Sequence, residues 1–588
     1  MAGSAATFKV VSSGSPLTYQ WNRNGVPITG ATAATYTLPA AVSGDDGAMF
    51  SVVVSGASGT ATSDAAKLTV IPVTPANGVD VVAYKYDTSR TGQNINESIL
   101  TTANVNASTF GLQHFITTDG KVDAQPLYLS QLNVAGAPHN VLFIATEHGS
   151  IYAIDTATYA ELWKVSLIPA GHSPSDDRAC AQITPEIGIT STPTIDRNAG
   201  AHGIMYVVAM SKDGSGNYHQ FLHALDVTTG ADVTPPKEIT ATFTDVQGNV
   251  TTFEPGQYEE RAALLLSNGT IYTEWSSHCD VPPYGGWIIT YDQTTLAQNG
   301  VLNVGPGSAV VNGANSRATV GPGIWMSGGG PAVDAGGHVF LATGNGPFDT
   351  TLNAAGRPVN GNYAQSFLKL QLDASGLQIA DYFALYDAPA QSEQDFDLGA
   401  GGGLLLPEMT DSTNKPVNLY LGGGKDGRVY IVDQARLGGY NAAKNDIHQQ
   451  VGGIKPLRST PAYFNNHLYI GGQSNALLSF TFTQARMSAT PSSTSATIFG
   501  YPGTSPVVSA NGTANGIVWA AERNTAAGLV ILHAYDAMNL ATELYNSEQA
   551  ASGRDRFGAP NRFVTPMVTA GKVFVASTTG IGVFGLLN

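Results

Sequence analysis

Between Trp275 and Trp287 the stretch WSSHCDVPPYGGW places His278, Cys279, Asp280 and Tyr284 between two tryptophans. Two prolines and a glycine pair make it too irregular for a strand, so it reads as a loop, where sites are commonly built. His278, Cys279 and Asp280 are consecutive, and an extended backbone sends neighbouring side chains to opposite sides, which denies all three to one metal ion. The aromatic rings of Trp275, Tyr284 and Trp287, with the polar tips of His278 and Asp280, suit stacking on and hydrogen bonding to a sugar. The competing reading is a locally packed loop held by a disulfide. The chain has two cysteines, Cys180 and Cys279, neither at zinc-finger spacing. Bridging them would close a loop of roughly a hundred residues, worth about 4 to 5 kcal/mol in the chain-entropy account. Glu186, and Glu259 and Glu260 with Arg261, precede apolar strands, and their ordinary role there is an ion pair between sheets. GxSxG, HExxH and Walker sequences are absent, which leaves hydrolase and nucleotide-enzyme classes without a motif.

The elements that must position these groups are strands. Of 588 residues, 12% are charged and 43% hydrophobic, with 67 glycines and 31 prolines, a composition of short strands and tight turns. The fold class is all-β. Lys and Arg number 28 against 44 Asp and Glu, a net charge of −16, and no basic stripe faces a row of phosphates, so nucleic acid is excluded as a partner. No apolar run reaches the roughly 18 to 20 residues of a membrane span. The Thr, Ser, Asn and Gly content predicts a secreted or periplasmic protein, with Met1 to Ser4 standing where a signal peptide has been removed.

Residues 1–72 alternate apolar and polar positions between turns. Trp21 in YQW, the NRNG turn and DDGAMFSVVV, with Asp46 and Gly47 ahead of Phe50, resemble a bacterial immunoglobulin-like domain. The resemblance implies a small β-sandwich, a spacer or adhesive module in which Trp21 packs between sheets without the usual cysteine pair. Residues 73–80, within IPVTPANGVD, read as a linker.

From 81 to 588 one unit recurs. A proline opens it in AQPLY, STPTI, GGPAV, STPAY, TSPVV and TPMV. An apolar strand such as VLFIAT or HVFLATG follows, and then one ending in aspartate, as in YAID, HALD, ITYD, YIVD and HAYD. With further units near Arg261 and Gly401 the count is eight, which predicts an eight-bladed β-propeller. The last unit has three strands, and FGLQHFITT at 110–118 is the expected fourth, closing the ring. The repeat residues Asp155 and Trp163 are expected to serve turns and blade packing.

IYAIDTATYAELWKV resembles the repeat of pyrroloquinoline quinone (PQQ) enzymes, and three further segments resemble quinoprotein alcohol dehydrogenases in order. GIWMSGGGPAVDAGGHVFLATGNG implies Trp325 as the floor beneath the flat cofactor and Asn345 as a calcium ligand. EQDFDLG implies Asp395 as the catalytic carboxylate and a calcium ligand, with Asp397 beside it as another calcium ligand. GGKDGRVYIVD implies Lys425 at the quinone oxygen. In that family calcium polarises a quinone carbonyl while a carboxylate takes the alcohol proton. The sequence departs from the pattern in three ways: AMSKDGSGNYHQFLHALD lacks the calcium-binding Glu, the adjacent cysteine pair is missing, and there is no CxxCH haem site. Glu186 is the candidate replacement for the lost calcium ligand, and electrons would leave to a separate acceptor. The resemblance implies a PQQ- and calcium-dependent dehydrogenase of alcohols or sugars. The alternative is a non-catalytic propeller that binds polysaccharide or protein.

Overall fold

A computed structural model of the chain describes residues 6–38, 45, 47–68, 78–306 and 321–587. Asp46 and most of the expected linker, its residues 73–77, lie outside the described residues. The chain divides into two compact units, Met1–Ala76 and Asn77–Asn588.

In the first unit Ala6–Lys9 pairs antiparallel with Thr35–Leu38, and Thr18–Arg23 pairs with Met49–Gly56 at the centre of a second sheet. Alternation puts Trp21, Phe50 and Val52 on the inner face, where all three are buried. Phe8 from the two-stranded sheet stacks on Phe50 at 4.3 Å.

The second unit is a β-propeller. Among its described residues, eight antiparallel sheets of four or more strands follow one another along the chain, within residues 127–166, 173–238, 258–303, 332–384, 404–451, 462–499, 507–546 and 567–586. The eighth, with strands Met567–Thr569, Lys572–Ala576 and Gly580–Leu586, takes its fourth from the early segment Phe110–Thr117. The ring is therefore closed by strands from opposite ends of the unit. The repeat aspartates cap turns: Asp155 accepts from the backbone N–H groups of Ala157 and Thr158, and Asp226 and Asp292 accept likewise. Trp163 donates its indole N–H to Val227 in the next blade at 3.2 Å.

The recurring proline has a structural cause. Residues 81–94 run along the axis and touch every blade. Tyr128 and Val81 exchange backbone hydrogen bonds, Ile195 donates to Val82, Val333 to Thr88, Leu405 to Ser89, Tyr463 to Thr91 and Val508 to Gly92. Leu264 and Val568 accept from the side chains of Arg90 and Asn94. In six blades this contact lies two residues after the repeat proline. Proline has no N–H to leave unpaired near the axis. Its carbonyl is free to accept, and Pro331 accepts from Arg90 Nε at 2.8 Å. Lys85 Nζ, fully buried, donates to the carbonyls of Thr460, Pro461 and Pro506 at 2.7 to 2.8 Å. This segment plugs the axial channel, and the candidate site is built around the mouth.

Candidate functional site

Trp325 opens a tight turn, Met326–Gly328, in which Met326, Ser327 and Gly328 all have positive φ (42°, 48° and 79°). Asn345 follows the strand Val339–Ala342, Asp395 and Asp397 follow the short helix Ala388–Glu393, and Lys425 follows the strand Leu419–Gly423. Two glycines permit their approach. A Cβ on Gly344 would stand 2.6 Å from Asp397 Oδ1 and 2.8 Å from Trp325 Cδ1, and one on Gly424 would stand 2.1 Å from the Asp397 carbonyl oxygen.

Asn345, Asp395, Asp397 and Lys425 meet through direct hydrogen bonds. The backbone N–H of Asn345 donates to Asp397 Oδ1 at 2.6 Å, and its Nδ2 donates to Asp395 Oδ1 at 2.7 Å. Lys425 Nζ is 2.8 Å from Asp395 Oδ1 and also pairs with Asp397 Oδ2. Burial raises the Asp397 carboxyl above its ordinary range, against the pull of Lys425. Burial alone would depress Lys425, but Asp397 and Asp395 outweigh it and hold the ammonium above its usual value.

Trp325, Asp397 and Lys425 line one cleft with Gln182, Arg261 and Asp280. The Arg261 guanidinium lies over the Trp325 ring at 5.7 Å, and Tyr284 meets that ring edge-on at 6.2 Å. Arg261 is held by Gln182 and by Glu259, 3.0 Å away, and His278 Nδ1 is 3.4 Å from the same Glu259 oxygen. Burial pushes Glu259 up, yet Arg261 and His278 prevail and pull it down to about 2. Cys180 and Cys279 form a disulfide, which ties together the two segments that deliver Gln182 and Asp280. Tyr284 donates its hydroxyl to Asp280 at 2.8 Å.

Several expected contacts take another form. Trp275 and Trp287 are not loop residues. They lie in Thr270–Ser277 and Trp287–Asp292, face each other across the pair, and are fully buried beside Phe253. The intervening prolines and glycines make only the connection irregular. From that stretch Asp280 alone lines the cleft. His278 is buried against Glu259, and Tyr284 is buried with its hydroxyl on Asp280. Glu186 bonds His148 Nδ1 at 2.9 Å and lies outside the cleft lining. Of the two acidic candidates, Asp397 lines the cleft; Asp395 meets Asn345 and Lys425 without lining it. Sequence reasoning did not single out Gln365. It donates to Asn345 Oδ1 at 2.9 Å and accepts from the Leu398 N–H at 2.8 Å, and no motif surrounds it.

The cleft sets the Trp325 indole among the cations Arg261, Lys425 and Arg458, with Arg261 lying over the indole face. These charges suit a negatively charged group, and a flat ring would stack there only where Arg261 gives way. The site does not fit calcium as arranged. The Lys425 ammonium already stands between the two carboxylates, and Asn345 turns Nδ2, not its oxygen, toward Asp395. A hard divalent ion needs those oxygens.

No family model and no curated protein matches the chain. Solved structures do. A quinohemoprotein alcohol dehydrogenase from Comamonas testosteroni is similar with a TM-score of 0.54 at 15% identity, over 86% of this chain and 80% of that one. A europium-containing methanol dehydrogenase gives 0.53 at 13%, over 85% and 90%. A quinohemoprotein alcohol dehydrogenase from Pseudomonas putida gives 0.54 at 14%, over 88% and 83%. The likeness is one of fold.

Proposed function

We propose that this chain is a quinoprotein-type dehydrogenase of small alcohols or sugars, with PQQ held at the mouth by Trp325, Lys425 and Arg261. One observation carries the reading: Trp325 and Asn345, Asp395 and Asp397, and Lys425 come from three separate stretches of sequence. Four of them join in one hydrogen-bonded cluster, and Trp325 packs beside it. When bound, PQQ supplies the two-electron acceptor that no side chain provides. The protein supplies the rest. Asp397, with its carboxyl raised by burial, accepts the hydroxyl proton of the alcohol on a carboxylate oxygen. Lys425 sets a fixed positive charge where negative charge develops. Trp325 orients a planar ring, and the Cys180–Cys279 disulfide keeps Gln182 and Asp280 in register with it.

A disulfide suits an oxidising compartment, which supports a secreted or periplasmic location and a separate electron acceptor. The first unit, with Trp21 packed beneath two small sheets, is read as an immunoglobulin-like spacer. The second reading, a propeller that binds a saccharide without turnover, is favoured by Arg261 covering the Trp325 face. The deciding experiment mixes purified protein with PQQ, with and without calcium. It records tryptophan quenching and dye reduction with alcohols and aldoses. Quenching with turnover that Asp397→Asn abolishes supports the dehydrogenase; no bound quinone leaves the binding propeller.

A further inference from the structure

Beside the Trp325 cleft, where the sixth, seventh and eighth blades meet, three arginines gather around one tyrosine. Arg458 precedes the sixth blade's inner strand, Arg523 lies near the end of Ala514–Asn524, and Arg562 precedes the inner strand of the eighth. The guanidinium carbons of Arg458 and Arg562 lie 5.6 Å and 5.7 Å from the centre of the Tyr501 ring. Arg458 and Phe563 line both the Trp325 cleft and a small recess beside Arg523, and Tyr501 lines the cleft itself, so the two are neighbours.

The charges are unbalanced. Among the described residues, none of these three arginines forms an ion pair with a carboxylate. Arg458 is bonded to the Gln473 side-chain oxygen, and Arg562 donates to the carbonyls of Ala181 and Gln182. Among the described residues, Arg523 Nε is buried without a hydrogen-bond partner. Glu522, the acid that lines the recess, is engaged by His533 Nε2 at 3.1 Å. Burial and the neighbouring Arg562 hold the Arg523 guanidinium below its usual range. In a chain of net charge −16, three uncompensated guanidiniums at one rim are an exception that costs repulsion. Guanidinium forks match planar oxyanions, and the Tyr501 ring beneath two of them is 37% exposed, so the group is open to a ligand.

We infer that Arg458, Arg523 and Arg562, around Tyr501, form a subsite for the carboxylate of an acidic saccharide whose neighbouring residue enters the Trp325 cleft. The inference names the substrate class and rests on the proposed function only in taking that cleft to receive a sugar.

The test is calorimetric titration of the full chain with a galacturonic acid trisaccharide, with the neutral galactose trisaccharide, and with inorganic phosphate. The acidic sugar should bind at least tenfold more tightly than the neutral one, and more weakly as salt is raised. Arg523→Gln and Arg562→Gln should each reduce its affinity about tenfold, the loss of one charge-assisted contact, while Arg523→Lys retains part of it. Melting curves confirm folding, and if one glutamine variant does not fold, the other decides. Equal affinity for the two sugars, or indifference to both glutamine variants, overturns the inference. So does arginine-dependent binding of phosphate without binding of the acidic sugar. PQQ titration of Arg523→Gln separates the two readings: unchanged quinone binding leaves the arginines to the substrate, whereas weakened quinone binding reassigns them to the cofactor and overturns the subsite.

Discussion

The guanidinium of Arg261 lies 5.7 Å over the ring of Trp325 while its other edge faces the buried Glu259 at 3.0 Å. One side chain thus covers the cleft floor and neutralises an interior acid. Arg261→Gln is expected to destabilise the protein by about 3 kcal/mol at neutral pH, because it leaves a buried charge without its partner. Glu259 has a depressed folded-state pKa of about 2, so its stabilising contribution is present above its ordinary value of 4.5 and is lost as pH falls toward 2. Urea denaturation of wild type and variant at neutral pH and near pH 3 checks this; the difference should shrink in acid.

Lys425 occupies the gap between Asp395 and Asp397. Lys425→Ala removes the ammonium and leaves two carboxylates facing one another, which is the start of an oxygen site for a hard cation. The variant should bind calcium at least tenfold more tightly than wild type in calorimetric titration. Equal affinity would show that the lysine does not stand in for a metal.

Glu274 is buried and, among the described residues, neither carboxylate oxygen has a hydrogen-bond partner, and burial pushes its pKa up to about 8 despite Arg90. A raised carboxyl contributes stability that is fully present below 4.5 and is lost as pH rises through 8. Glu274→Gln should therefore raise the melting temperature at pH 8 and leave it nearly unchanged at pH 4.

The disulfide joins residues 99 apart. Reduction should lower stability by about 4 to 5 kcal/mol through the larger freedom of the unfolded chain, read as a shift in the urea midpoint with and without reductant.

Lys85→Met deletes three hydrogen bonds to carbonyls of two blades and leaves those carbonyls without their donor. A loss of about 3 kcal/mol or more is expected, measured by chemical denaturation. A neutral outcome would mean that the axial segment is held by its backbone contacts alone.

The ring was legible because its period is long and marked by proline and aspartate at fixed places, and the unpaired FGLQHFITT pointed to its closing strand. The axial plug was not legible. Its contacts fall two residues after each proline, on a partner far away in sequence, and nothing local marks that partner. Trp275 and Trp287 were misread because Pro282, Pro283 and the glycine pair dominate the local pattern, while the strands run up to Ser277 and resume at Trp287. Asp395, Asp397, Asn345 and Lys425 could be grouped only through resemblance. That Arg261 would cover Trp325, and that Gln365 would brace Asn345, depends on side-chain directions that no spacing encodes.

The segment 81–94, tied to all eight blades, makes the axial passage a cul-de-sac. Whatever enters above Trp325 leaves by the same doorway, so a departing product and an arriving substrate compete for one threshold. On the proposed subsite, the arginines at that threshold would select what is admitted and also set how readily an acidic product is let go.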